Sequence, residues 1–224
     1  MIERIQKQIQ RSIETKQQIL QDADLLRLLQ DSARLCADCL SQGGKILFAG
    51  NGGSASDAQH LSAEPVGRYK QERPSIAAIA LNTDTSAITA IGNDYGYDEV
   101  FARQVRGLAT ANDVFVGIST SANSANVLKA VMAAQEKGCK VTGLSGPGGK
   151  LKEVADYCLC APNRNDSGIK HHAGSSALRS DREAALPGTG LSLVRVNPNA
   201  TRRRSLSPAP TPQDTCNARR GTPA

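Results

Sequence analysis

Tryptophan is absent from this chain of 224 residues, and phenylalanine and tyrosine supply only 3% of it. So few flat side chains leave little platform on which the bases of a single-stranded nucleic acid can stack. Long apolar runs are missing too. None approaches the ~20 residues that a helix needs to cross a bilayer, and the start Met1-Ile2-Glu3-Arg4-Ile5 has no signal-peptide pattern. The chain is therefore expected to be soluble and cytoplasmic, with no membrane partner. The six cysteines form no repeated metal-finger spacing. Cys36 and Cys39 share an apolar helix face with Leu35 and Leu40, which reads as packing rather than as a redox or zinc motif. The formal charge of +6 is no nucleic-acid footprint, because nine Lys/Arg against four Asp/Glu from Asp166 onward carry almost all of it. What precedes is nearly neutral, and the whole chain's 39% hydrophobic content is adequate for one α/β domain with additions.

Two amphipathic helices are expected first. Ile2, Ile5, Ile9, Ile13 and Leu20 recur at helical spacing, and Leu25, Leu28, Leu29, Cys36 and Leu40 repeat the pattern. Their apolar faces need a partner, either the core of the chain or a second subunit, and a homo-oligomer built partly through them is expected. Short apolar runs follow at Ile46-Leu47-Phe48-Ala49, Ile76 to Ala80, Val114 to Ile118, Lys140 to Leu144 and Tyr157 to Cys160, separated by helical stretches, notably 98–109 and 123–137. Buried strands alternating with helices predict a doubly wound α/β domain, a mainly parallel five-stranded sheet covered on both faces. Ligands of such sheets sit at the carboxyl ends of the strands.

The run Gly50-Asn51-Gly52-Gly53-Ser54-Ala55-Ser56-Asp57-Ala58-Gln59-His60-Leu61-Ser62-Ala63-Glu64 lies at one such end. Glycine lets the chain turn sharply there and bring backbone N–H groups to an anion, and the start of the next helix favours phosphate. His60 and Glu64, four residues apart on that helix, project from one face and can share a ligand. A second candidate loop, Ser119-Thr120-Ser121-Ala122-Asn123-Ser124, follows the strand ending at Ile118 and precedes another helix. Alone, such hydroxyls would be helix caps. Two strand-to-helix turns of one parallel sheet can instead converge on a single phosphorylated ligand.

On these residues, and on Gly67-Arg68-Tyr69, Arg73-Pro74-Ser75 and Gly92-Asn93-Asp94-Tyr95-Gly96, the chain resembles the SIS (sugar isomerase) domain family and, within it, the phosphoheptose isomerases. The resemblance covers residues 1–165 as one SIS domain including the N-terminal helices. It implies a cytoplasmic homotetramer that converts sedoheptulose 7-phosphate into D-glycero-D-manno-heptose 7-phosphate, toward the heptose of bacterial lipopolysaccharide, with one zinc per subunit. By the same resemblance Asn51, Gly52 and Gly53 contact substrate, Ser54, Ser119, Thr120, Ser121 and Ser124 surround its phosphate, and Asn93 and Asp94 line the sugar. His60 and Glu64 match two zinc ligands, and Glu64 matches the catalytic, substrate-contacting carboxylate that moves protons. The chemistry agrees with that set, since moving a carbonyl between neighbouring carbons needs a base, an acid and a group that polarises oxygen.

Three departures from the family stand out. Ala122 occupies a position where the family has glycine, which matters if the backbone there needs a positive φ. Pro65 follows Glu64 directly and is expected to disturb the helix and mis-aim the carboxylate. From Asp166 to the end the strand-helix alternation gives way to Arg-, Ser- and Pro-rich text, with six of the ten prolines, and this tail, 166–224, is expected to be disordered. The family's terminal helix, which holds two further zinc ligands and a second acid/base group, has no counterpart in Asp166 to Ser176. His171 and His172 sit in no pattern that would fix them as replacements. The break reads as translation of a GC-rich gene in a shifted frame, with Gly174-Ser175 encoded by bases that give Gly-His one frame away. Transcripts of homologues sharing the present tail would refute that. The competing functions are a non-catalytic SIS protein that binds the replication initiator, whose relatives lack the His/Glu pair, and a sensor that binds sugar phosphate without turnover.

Overall fold

The computed structural model describes residues 1–68 and 72–162. All of these belong to the first of two units, Met1–Ala185 and Leu186–Ala224. Tyr69, His171, His172 and the expected disorder and frame shift of the tail lie outside the described residues.

Helices α1 (Ile2–Gln21) and α2 (Ala23–Ser41) come first and share Asp22 as their joint. Its backbone leaves the helical region there, and its side chain accepts from Leu25 N at 2.9 Å, capping α2. Five strands follow, β1 (Ile46–Gly50), β2 (Ala78–Ala80), β3 (Val114–Ser119), β4 (Lys140–Ser145) and β5 (Tyr157–Cys160), paired in parallel in the order β2-β1-β3-β4-β5. The doubly wound sheet expected from the sequence is thus present, with β2 shorter than its apolar run.

Side chains alternate across a strand, so each strand feeds two cores. Ile46, Phe48, Val114, Val116, Ile118, Leu144 and Leu159 point to the face covered by α2 and α3 (Gly53–Val66), where they meet Cys36, Cys39, Ala58 and Leu61. Leu47, Ala49, Phe115 and Val141 point to the other face, against Phe101 and Val105 of α5 (Val100–Leu108) and Val127 and Val131 of α6 (Ala125–Glu136). Burial pushes the Cys36 thiol up to about 12, with Cys39 beside it adding to the rise, and pushes Cys39 to about 11, with the Asp113 charge adding there, so both stay protonated packing residues.

Two helices went unread in the sequence. α4 (Thr85–Tyr95), capped by Asp84 accepting from Ala87 N at 2.9 Å, buries no residue fully and offers only Ile88 and Ile91 to the core. The five-residue α7 (Lys150–Val154) packs through Leu151. The predicted helix over 98–109 opens as a 3₁₀ turn at Tyr97–Glu99 before α5. No described helix is long and apolar enough to cross a membrane. On α1, Ile2, Ile5, Ile9 and Ile13 stay exposed, while Ile19 packs on the core.

At the amino ends of the strands, buried Asp113 accepts from Lys45 Nζ (2.7 Å), Lys45 N (2.9 Å) and Thr110 N (2.7 Å), tying the start of β1 to that of β3. Burial works against its charge, but these hydrogen bonds outweigh it and hold the carboxyl below the ordinary aspartate range. A depressed folded value means the stabilisation is present above about pH 4, the ordinary aspartate value. It is lost as pH falls through the lowered folded value. Urea midpoints measured down this range are expected to drop, and a Lys45→Met chain to show a shallower drop.

Candidate functional site

β1 and β3 are neighbours with Gly50 in register with Ile118, so the turns that follow them leave the same carboxyl edge side by side. The strand order reverses direction here, with β2 on one side of β1 and β3 on the other. After β1 the chain turns through Asn51 and Gly52. Ser54 N donates to Asn51 O at 2.9 Å and Ala55 N to Gly52 O at 3.0 Å, which starts α3. Gly52 has φ 56° and ψ −122°, a combination open to glycine and costly to any L side chain. Asn82, just past β2, donates from its side-chain amide to Gly50 O, and its Oδ1 is buried without a hydrogen-bond partner.

The serine loop after β3 is organised by its own hydroxyls. Buried Ser119 Oγ lies 2.9 Å from Ser124 Oγ and 3.4 Å from Ser121 Oγ, and Ser124 N donates to it at 3.4 Å. Thr120 and Ser121 are exposed. Asn123 clamps the loop, its Nδ2 donating to Ser121 O at 2.8 Å and its Oδ1 accepting from Lys150 N at 3.1 Å. Ala122 sits at φ 58° and is fully buried. The departure from glycine at this position therefore falls on a residue in the left-handed region, where a Cβ costs about 1–2 kcal/mol. Ala122→Gly is expected to raise stability by about 0.5–1 kcal/mol once the added freedom of the unfolded chain is counted. A higher thermal midpoint would show it.

The two loops are joined through side chains. Asn51 Nδ2 donates to Asn126 Oδ1 at 2.8 Å, Asn126 Nδ2 donates back to Asn51 Oδ1 at 2.9 Å, and the Tyr97 hydroxyl donates to Asn51 Oδ1 at 3.2 Å. Asn93 and Asp94 end α4 just before Tyr97. Both are exposed, with Asn93 Nδ2 donating to Asp94 Oδ1 at 2.8 Å. Asn126, Tyr97 and Asn82 were not singled out from the sequence. The signal for Asn126 was present, since it is a polar residue in the first turn of α6 beside the core residues Val127, Ala130 and Val131.

Further along α3, His60 Nε2 and Glu64 Oε1 are 3.2 Å apart, as the four-residue spacing requires. The Glu64 side chain is 12% exposed and His60 half-exposed. About 15 Å of helical rise separates Glu64 from the turn at Ser54, so the carboxylate and the glycine turn of the chain are not neighbours. Pro65 does not end the helix. α3 runs on through it to Val66, and Glu64 remains paired with His60. The exposed carbonyls of that turn are met by Arg73, whose guanidinium donates to Pro65 O at 2.6 Å and Glu64 O at 2.9 Å, and by Ile76 N, which donates to Pro65 O at 3.1 Å.

Glu64 Oε2 is buried and has no hydrogen-bond partner. Such an atom costs about 1–3 kcal/mol, which a cation or a substrate hydroxyl would offset. Imidazole nitrogen and carboxylate oxygen are suitable zinc donors, and zinc takes four ligands, or three with an open position. Among the described residues no group of three or more His, Cys, Asp or Glu gathers to hold a metal. His60 and Glu64 fit as two ligands of an incomplete set. The stretch Asp166 to Ser176 lies outside the described residues.

Residues 4–146 match the SIS domain family. A phosphoheptose isomerase of Solidesulfovibrio magneticus is 55% identical over 147 residues, 66% of this chain and 72% of that one. One from Aneurinibacillus thermoaerophilus is 47% identical over 167 residues, 74% of this chain and 84% of that one. The structure of phosphoheptose isomerase GmhA from Neisseria gonorrhoeae superposes with a TM-score of 0.72 at 44% identity, covering 79% of this chain and 97% of that chain. At such identities, over most of each relative's length, the chain belongs to the phosphoheptose isomerases of the SIS domain family.

Proposed function

We propose that the chain is an aldose-ketose isomerase that converts sedoheptulose 7-phosphate into D-glycero-D-manno-heptose 7-phosphate in heptose biosynthesis. The observation that carries this reading is the presence, on one sheet edge and the helix that leaves it, of two phosphate-suited loops on adjacent strands and a largely buried carboxylate, Glu64, one of whose oxygens lacks a partner. The backbone N–H groups of the serine loop and the hydroxyls of Ser119, Thr120, Ser121 and Ser124 receive the phosphate, in the positive field at the start of α6. Asn51, Gly52 and Gly53 bind the sugar beside it, with Ser54 joining the serine loop at the phosphate and Asn93 and Asp94 lining the far side.

Isomerisation removes a proton from the carbon next to the carbonyl, passes through an enediol and returns a proton to the neighbouring carbon. Glu64 takes and returns that proton, and His60 holds the carboxylate in place at 3.2 Å. His60 and Glu64 would also hold zinc, which when bound polarises the reacting oxygens. The remaining ligands and the second acid/base group are assigned to the terminal segment or a second copy of the chain. A homotetramer, formed in the cytoplasm through the exposed isoleucine stripe of α1, accounts for that stripe and for the distance along α3 between the glycine turn and Glu64.

A sugar-phosphate sensor is the second reading, favoured by one observation: the described residues supply two metal donors and no third. Turnover of sedoheptulose 7-phosphate by the full chain with added zinc decides between them, run beside a chain whose residues after 165 are replaced by a family-type terminal helix. Turnover by either supports the isomerase scaffold, and by the repaired chain alone identifies the tail as the lesion. Binding without turnover by both favours the sensor.

A further inference from the structure

Asn126 has a side chain in an unusual place for a surface-forming helix. It is 3% exposed, sits one residue into α6, and spends its amide on Asn51, 75 residues away, through two hydrogen bonds of 2.8 and 2.9 Å. A cyclic pair of amides fixes both planes, because each group is donor and acceptor at once. The Tyr97 hydroxyl adds a third bond at 3.2 Å to Asn51 Oδ1. Both acceptor positions of that oxygen are then used, and one N–H of Asn51 remains uncommitted. Tyr97 is itself held by its element: Glu99, two residues on, pairs with Lys129 of α6 at 3.0 Å and with Arg106 of α5 at 3.2 Å.

We infer that Asn126 and Tyr97 are positioning residues for the sugar end of the ligand: they hold the Asn51 amide so that its remaining N–H meets a sugar hydroxyl. The inference rests on the sugar-phosphate reading above and deepens it. Asn126 belongs to the helix whose first turn faces the phosphate, and Asn51 to the turn that faces the sugar. Their pairing makes the two ends of the recognition site one rigid unit, so the amide is ordered before the ligand arrives and no rotamer freedom is lost on binding. Neither Asn126 nor Tyr97 need touch the sugar. Their removal should therefore weaken recognition of the sugar while sparing that of phosphate alone.

The test is titration of the full chain with sedoheptulose 7-phosphate and, separately, with inorganic phosphate. Asn126→Ala is expected to lower affinity for the heptulose phosphate about tenfold and to leave that for inorganic phosphate unchanged. Tyr97→Phe, which removes one neutral hydrogen bond, is expected to lower the first about threefold in the same selective way. In a double-mutant cycle Asn51→Ala/Asn126→Ala should lose no more than Asn51→Ala alone. Equal weakening of both ligands, or additive losses in the cycle, would mean that Asn126 merely packs α6, and overturns the inference. If Asn126→Ala does not fold, exposed Tyr97 decides: unchanged selectivity in Tyr97→Phe overturns it, a selective loss supports it. An unsubstituted chain that binds inorganic phosphate but not the heptulose phosphate overturns the isomerase reading itself, and this inference with it.

Discussion

Glu64→Gln is expected to lower kcat for sedoheptulose 7-phosphate about 10³-fold, the order that a positioned general base contributes. The substitution keeps the size of the side chain and one oxygen acceptor toward His60 but removes the charge and the basic site. Substrate affinity should hold if the serine loop after β3 receives the phosphate as proposed, because that loop lies on another element. Two readouts keep the interpretation clean. Titration calorimetry with the sugar phosphate should give near-normal affinity, whereas zinc affinity should fall, since a carboxylate ligand has gone. Unchanged kcat in a chain that turns over when unsubstituted would move the proton transfer to another group and end the role assigned to Glu64.

Gly50→Ala is the second large effect, and it acts through space rather than through chemistry. A Cβ at Gly50 would stand 2.7 Å from both the Cβ and the carbonyl oxygen of Ser54 and 2.9 Å from its carbonyl carbon. Two of those atoms are backbone of the first turn of α3, so nothing short of moving the helix relieves the clash. A loss of about 2–3 kcal/mol in stability follows from overpacking of this kind. The same displacement would shift the glycine turn from its ligand, at a cost of about 10²-fold in kcat/KM for an ångström of misplacement. Gly52→Ala makes a useful contrast. A Cβ there meets nothing within 4 Å, so its penalty, about 1–3 kcal/mol, comes from backbone strain at φ 56° alone. Denaturant midpoints of both variants, with kcat/KM, check the pair. A Gly50→Ala chain as stable as the original would mean that α3 is free to move, and that the tight strand-to-helix turn does not set the site.

Much of the site was legible along the chain because its chemistry is local. The glycine run, the serine loop and the His60/Glu64 pair each lie within one strand-to-helix transition, and their spacing alone brings them to a helix start or one helix face. Pro65 shows the limit of local reasoning. Sequence logic charged it with spoiling the helix, yet α3 continues through it to Val66, and Arg73, eight residues on, meets the carbonyls that the helix end exposes. Ala122 shows the reverse: whether alanine is harmless there depended on a backbone angle that only the folded loop defines.

The sequence by itself determined the strands, most of the helices and the chemistry of the loops between them. Apolar runs of four to six residues between helices can bury themselves only in a parallel sheet covered on both sides, and phosphate-suited loops at strand ends follow from residue type. Only the tertiary structure decided which loops meet. The order β2-β1-β3 set the glycine turn beside the serine loop, and buried Asn126 was found to hold Asn51 across 75 residues of chain. The reason is physical: periodicity reports which face of an element is buried, but the partner of a buried amide is chosen by strand order and register, which no single segment encodes.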